Sequence, residues 1–90
     1  MLNYLGLDKT NLKGGEIMNL REAVQENEYI IENLFVDDDE LNAFLFSLGC
    51  YEGEKITVIS RVRGGLIVSI KESRYNIDNQ LAEAIIVQAA

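Results

Sequence analysis

The acidic run Asp37-Asp38-Asp39-Glu40 is the first group in the chain whose residue types could do chemistry. Four consecutive carboxylates attract divalent cations, but a calcium loop needs acidic ligands at alternate positions around a glycine. The run instead precedes an apolar helical pattern, where acids cap the first turn and favour the positive end of the helix dipole. We therefore predict a helix cap here, with Asp37 as the N-cap and Glu40 at N3, and no metal site.

Cys50 is the only thiol, and the chain contains no histidine. One thiolate falls far short of the four ligands of a structural zinc site, and the commonest general base is missing. The glycines at 53, 64 and 65 match no phosphate-binding loop, so turns explain them better. The sequence thus predicts a protein that is not an enzyme and has no cofactor and no resident metal. Cys50 is expected to be a small buried side chain.

Composition and charge narrow the class of protein. Ninety residues, 48% of them apolar, predict one domain with a single core. A formal net charge of −7 argues against a nucleic-acid partner, and no run approaches the roughly 20 apolar residues of a membrane span. A lone cysteine favours a reducing compartment, so we expect a cytoplasmic protein. The sequence does not predict an oligomeric state.

The charge is unevenly distributed along the chain. Residues 18–54 carry one Arg and ten acids, a net charge of −9, whereas residues 55–74 carry five basic residues and one acid, a net charge of +4. This distribution has two interpretations. The acidic and basic residues form ordinary solvated faces, or they form a polarised surface that orients a charged partner.

Residues 1–17 differ from the rest of the chain in their weak periodicity and zero net charge. Lys13-Gly14-Gly15-Glu16 is compatible with a purine-rich codon run that resembles a bacterial ribosome-binding site, one codon before Met18. We hypothesise that residues 1–17 are a translated, non-native leader and that the domain spans residues 18–90. Two alternatives are disorder and a helical turn that packs on the domain through Leu2, Tyr4, Leu5 and Leu7.

One main helix is predicted at about residues 38–48. Leu41, Phe44, Leu45 and Leu48 follow the i, i+3, i+4, i+7 spacing of one apolar helix face. Gly49 then supplies the left-handed position that ends the helix. Short helical turns are predicted near residues 20–25, with Asn19 as N-cap, and near residues 79–82.

Five short strands are predicted from runs of β-branched and aromatic residues, at residues 29–36, 55–63, 66–71, 74–77 and 84–87. The Gly64-Gly65 pair predicts a hairpin between the second and third of these strands. Simple alternation in the second strand places Val58 on one face and Thr57, Ile59, Arg61 and Arg63 on the other. Because both faces hold apolar residues, we expect a mainly β, five-stranded sheet curled into a small barrel.

The candidate partner-binding surface begins with Phe46, which lies about 140° from Leu41 on a helical wheel and so off the buried face. A surface aromatic on a small domain is a candidate contact residue. Alternatives are a second small core, or cover by the N-terminal segment. The full candidate set is Phe46, Tyr51, Ile59, Arg61, Arg63 and Ile67.

Residues 18–87 resemble the FeoA family, small cytoplasmic proteins of bacterial ferrous-iron uptake. The resemblance rests on Leu48-Gly49 followed by Gly53, on the Gly64-Gly65 hairpin and on the ending Leu81-Ala82-x-Ala84-Ile85-Ile86-Val87. It implies an SH3-like barrel with an inserted helix. It also implies association with the cytoplasmic domains of FeoB, the membrane iron transporter with a GTP-binding domain.

The chain departs from the family pattern at three places that concern partner contacts more than the fold. Asn27 stands where a glycine is usual, Ala43 and Phe44 stand near a usual basic residue, and Arg63-Gly64-Gly65-Leu66 replaces a proline-containing loop. The resemblance implies a non-enzymatic accessory protein that docks on the transporter and modulates it. The alternative is the SH3-like interaction module of a metal-responsive transcriptional regulator.

Overall fold

Six strands form one antiparallel sheet in the computed structural model, which describes residues 17–90. The predicted leader, apart from Ile17, lies outside the described residues. The strand order in the sheet is β1-β6-β2-β3-β4-β5. The strands are β1 (Ile17–Asn19), β2 (Glu28–Leu34), β3 (Lys55–Val62), β4 (Gly65–Ile70), β5 (Ser73–Asp78) and β6 (Ile85–Ala89).

Two α-helices and one 3-10 turn accompany the sheet. Helix α1 (Asp39–Leu48) lies between β2 and β3 in sequence, and α2 (Asn79–Ala84) lies between β5 and β6. The 3-10 turn covers Leu20–Glu22, and the Asn19 side chain accepts a hydrogen bond from the Glu22 N–H at 3.2 Å. The mainly β fold with one main helix is therefore confirmed. The first helical turn is shorter than predicted, and the second is longer.

Strand β1 is the one the sequence analysis did not predict, so the described part of the chain has six strands where five were expected. It has only three residues, too few for a periodic pattern. Its pairing with β6 defines it, with Met18 opposite Val87. A strand this short depends on a partner far away in sequence, which local propensity does not reveal.

The core is built from alternate residues of the curled sheet and is closed by the helices. Strands β2, β3 and β4 each direct every second side chain inward. In β3, for example, the inward-facing residues Ile56 and Val58 are fully buried. No polar or charged side chain is buried in the described part of the chain. The other fully buried large side chains are Leu20, Ile31, Leu45, Leu66, Ile70, Ile85, Val68, Val87 and Cys50.

A β-bulge in β3 makes the predicted alternation wrong beyond Val58. Val58 lies opposite Val68, but Ser60 lies opposite Ile67, so Ile59 is the extra residue. Arg61 consequently lies opposite the buried Leu66. Directly opposed residues of an antiparallel pair share a face, so Arg61 extends from the same face as Leu66, opposite to the prediction, although it remains exposed to solvent near the hairpin turn.

Helix α1 buries a narrower stripe than predicted. Leu45 is fully buried, Leu41 and Leu48 are half-buried, and Phe44 is 56% exposed. The N-cap is Asp38, whose carboxylate accepts a hydrogen bond from the Leu41 N–H at 3.1 Å, so the prediction of Asp37 was wrong by one residue. Several consecutive acids can all serve as caps, and the sequence pattern therefore does not select one of them.

The β3–β4 hairpin is confirmed, but its turn lies one residue earlier than predicted. Val62 pairs with Gly65, so the two turn residues are Arg63 and Gly64. Gly64 has a φ of 80°, as a tight hairpin turn requires. Gly65 belongs to β4, where it lies against the backbone of β5. The two adjacent glycines thus serve different purposes.

Candidate functional site

The end of α1 brings Phe46 and Tyr51 together. Gly49 adopts a φ of 93°, and the Cys50 N–H donates to the Leu45 carbonyl at 2.9 Å, so the helix ends in a left-handed turn that leads directly to Tyr51. The Phe46 and Tyr51 rings lie 4.7 Å apart between centroids at an angle of 32°. Phe46 remains 65% exposed despite this contact. The sequence expectation of an exposed Phe46 is confirmed, and Tyr51 is its neighbour.

Lys71 completes this cluster from the end of β4. Its Nζ lies 5.8 Å from the centroid of the Tyr51 ring and 3.0 Å from Oε1 of Glu54. The hydrogen bond that the Lys71 ammonium donates to the Glu54 carboxylate raises the pKa of Lys71 above its usual value. An exposed ion pair of this kind contributes little to stability, and its main effect is to hold Lys71 over the ring.

The two predicted isoleucines lie elsewhere on the sheet. Ile59 is the bulge residue of β3, and Ile67 lies opposite Ser60 on β4, so these two half-buried side chains belong to one region. Ile67 precedes Lys71 by four residues, roughly 13 Å along an extended strand. The isoleucines are therefore separated along the sheet from the Phe46–Tyr51 pair.

The two predicted arginines lie towards the hairpin turn, at the other end of β4 from Lys71. The Arg61 guanidinium donates from Nη2 to the Ala23 carbonyl at 2.6 Å, and its backbone N–H donates to Oε1 of Gln25 at 3.2 Å. Arg63 is exposed within the turn itself. The structure thus divides the predicted surface into an aromatic pair, an isoleucine region and two arginines.

Sequence reasoning missed Lys71 and Glu54 as neighbours of the aromatic pair. Lys71 is twenty residues from Tyr51, and no local period connects them. The one available signal is Gly49, because a glycine that ends a helix often marks a close approach by another part of the chain. Here the approaching group is the aliphatic stem of Lys71.

Cys50 is buried, as predicted, and burial raises the pKa of its thiol to about 11. Within residues 17–90, no group of three or more His, Cys, Asp or Glu side chains is arranged to hold a metal ion. In the same residues, no helix combines the length and apolarity needed to cross a membrane.

Modification of Cys50 by a thiol reagent is expected to be at least a hundredfold slower in the folded protein than in urea at pH 8. The thiolate is the reactive form, and both the raised pKa and the buried position suppress it. The raised pKa also makes the free energy of unfolding depend on pH. The contribution of the neutral Cys50 thiol is fully present below the unfolded-state pKa, near 8.5, and is lost as the pH rises towards 11. Labelling followed by absorbance measures the rates; equal rates in both states would contradict the burial.

The curled antiparallel sheet and its inserted helix place this chain among the small SH3-like barrel domains. A match to a protein-family model narrows this class to one family. The FeoA domain matches residues 18–89, most of the chain, and the protein belongs to this family.

Solved structures share the fold at low sequence identity. A crystal structure of an iron uptake regulatory protein (FeoA) is 24% identical with a TM-score of 0.73, and the match covers 82% of this chain and 97% of that one. Iron(II) transport protein A from Clostridium thermocellum is 23% identical with a TM-score of 0.74, covering 81% of this chain and 46% of that one. A manganese-dependent transcriptional repressor is 16% identical with a TM-score of 0.75, covering 89% and 45%. A search of curated proteins gave no match.

Proposed function

We propose that this protein is a non-enzymatic, cytoplasmic accessory protein of bacterial ferrous-iron uptake, which docks on the cytoplasmic domains of a FeoB-like transporter and modulates it. Membership of the FeoA family supports this proposal. The single observation that carries it is the Phe46–Tyr51 pair, in which a large aromatic side chain stays 65% exposed beside a second ring. Aromatic side chains, Phe and Tyr among them, are enriched in the cores of protein–protein interfaces.

In this proposal the aromatic pair is the centre of the docking surface. Phe46 and Tyr51 are pre-positioned by the Gly49 turn and by Lys71, so little side-chain entropy is lost when a partner covers them. Ile59, Ile67 and Arg63 are peripheral contacts. Arg61 acts mainly by holding the Ala23–Gln25 segment, since its guanidinium already donates to a backbone carbonyl.

Replacement of Phe46 by Glu is expected to weaken binding to the purified cytoplasmic portion of the transporter by about tenfold or more, because a central aromatic contact contributes upwards of about 1.4 kcal/mol. Calorimetric titration with and without guanine nucleotide measures the affinity. Phe44→Glu is the matched control, since Phe44 lies on the same helix and is 56% exposed on a different face. Equal losses in both variants, or none in either, would mean that the surface is placed wrongly.

A second candidate function is that of an SH3-like module of a metal-responsive transcriptional regulator. The likeness to the manganese-dependent repressor favours it, because that structure shares the fold as closely as the FeoA structures do. Gene neighbourhood separates the two candidates. An adjacent gene for a large membrane GTPase supports transport, and an adjacent gene for a helix-turn-helix protein supports regulation.

A further inference from the structure

The two elements that carry Phe46 and Tyr51 also carry two exposed acids. Asp39, in the first turn of α1, precedes Phe46 by seven residues, which places both on one ridge of the helix, roughly 10 Å apart along its axis. Glu52 directly follows Tyr51 and is also exposed. We call the set Asp39, Phe46, Tyr51 and Glu52 the acidic–aromatic face.

The negative charge of this face is not neutralised within residues 17–90. The ion pairs found there are Arg21 with Glu83 and Lys71 with Glu54. Lys71 is the cation beside the aromatic pair, and Glu54 already engages it. Helix α1 itself contains no basic residue. The face therefore combines exposed apolar surface with two exposed carboxylates, those of Asp39 and Glu52, that form no ion pair within residues 17–90.

Resting on the proposed function, we infer that the acidic–aromatic face binds a basic amphipathic segment of the transporter. An apolar side chain of that segment covers Phe46 and Tyr51, while Lys or Arg side chains approach Asp39 and Glu52. Asp39 and Phe46 are roughly 10 Å apart along the helix axis. In the bound segment, the basic residue and the apolar residue that face them would therefore be at positions i and i+7 of a helix or i and i+3 of a strand. Complementary charge of this kind fixes orientation and speeds association. An anionic membrane surface is disfavoured, because it repels the same carboxylates.

Charge reversal at the two acids of the face, Asp39 and Glu52, which we call its rim, tests the inference. Glu52→Lys is the main variant because Glu52 lies outside the helix, and Asp39→Lys is the second. Glu26→Lys is the control, since Glu26 is exposed in the turn before β2 and the substitution makes the same change in net charge. At about 50 mM salt, each rim variant is expected to bind the purified cytoplasmic portion of the transporter at least about fivefold more weakly than the control. At about 300 mM salt this difference is expected to shrink, since ions screen exposed charges.

Each result has a distinct meaning. A larger loss in the rim variants than in Glu26→Lys, reduced by salt, supports the basic segment. If rim and control variants bind equally well while Phe46→Glu is still impaired, the proposed docking surface is supported. The inference that its partner is a basic segment is then overturned. Absence of any binding by the parent protein overturns both. Sedimentation of the parent protein alone checks for a second copy as occupant; self-association that Glu52→Lys abolishes would overturn the inference.

Discussion

Replacement of Gly65 by Ala is expected to lower the free energy of unfolding by about 3 kcal/mol, at the upper end of the usual cost of overpacking. A Cβ atom at Gly65 would lie well inside contact distance of the Ile77 carbonyl oxygen and 3.0 Å from the Cα of Asp78. Both atoms belong to the backbone of β5, which pairs with β4 along its whole length. They cannot withdraw unless this ladder opens. For a domain of this size the loss is a large part of its stability.

Gly64→Ala is the matched control for this variant. Gly64 has a φ of 80°, but nothing lies within 4 Å of a Cβ placed there. Its replacement therefore costs only the conformational strain of a left-handed residue, about 1–2 kcal/mol. Urea unfolding followed by circular dichroism compares the two variants. If Gly65→Ala costs no more than Gly64→Ala, the close approach of β5 is not what selects glycine at residue 65.

The glycine pair also shows how far sequence reasoning reaches. Two adjacent glycines between apolar runs are sufficient to predict a hairpin, because that signal is local. Which glycine forms the turn is decided by β5, whose backbone excludes a side chain at Gly65. Strand β1 escaped prediction for the same reason, since its three residues become a strand only through pairing with β6.

The candidate site was predicted in part. The helical wheel identified Phe46 as exposed, because helix geometry alone determines that direction. Arg61 was assigned to the wrong face, since the bulge after Val58 shifts every later residue of β3. Lys71 was missed because its approach to Tyr51 depends on a tertiary contact, in which the end of β4 lies beside Gly49. Local period thus predicts single side chains, and tertiary contacts decide which of them meet.

Replacement of Gly49 by Ala is expected to lower the free energy of unfolding by about 2 kcal/mol and to weaken partner binding at the same time. The φ of 93° at this residue already costs a non-glycine side chain about 1–2 kcal/mol. A Cβ would also lie 2.9 Å from Cε of Lys71 and 3.1 Å from Cγ2 of Ile70. Ile70 is fully buried and cannot move aside, whereas the Lys71 stem can. Partner binding falls because Lys71 then leaves the Tyr51 ring and the helix end shifts.

A double-mutant cycle with Lys71→Ala separates the two causes of this loss. Lys71→Ala alone is expected to change stability little, because its pair with Glu54 is exposed to solvent. If crowding by the lysine stem contributes, Gly49→Ala combined with Lys71→Ala costs less than the sum of the single variants. Urea unfolding measures the three stabilities under identical conditions. Strict additivity would locate the whole cost in the backbone angle of residue 49 and in Ile70, and the Lys71 stem would then be only a neighbour of the helix end.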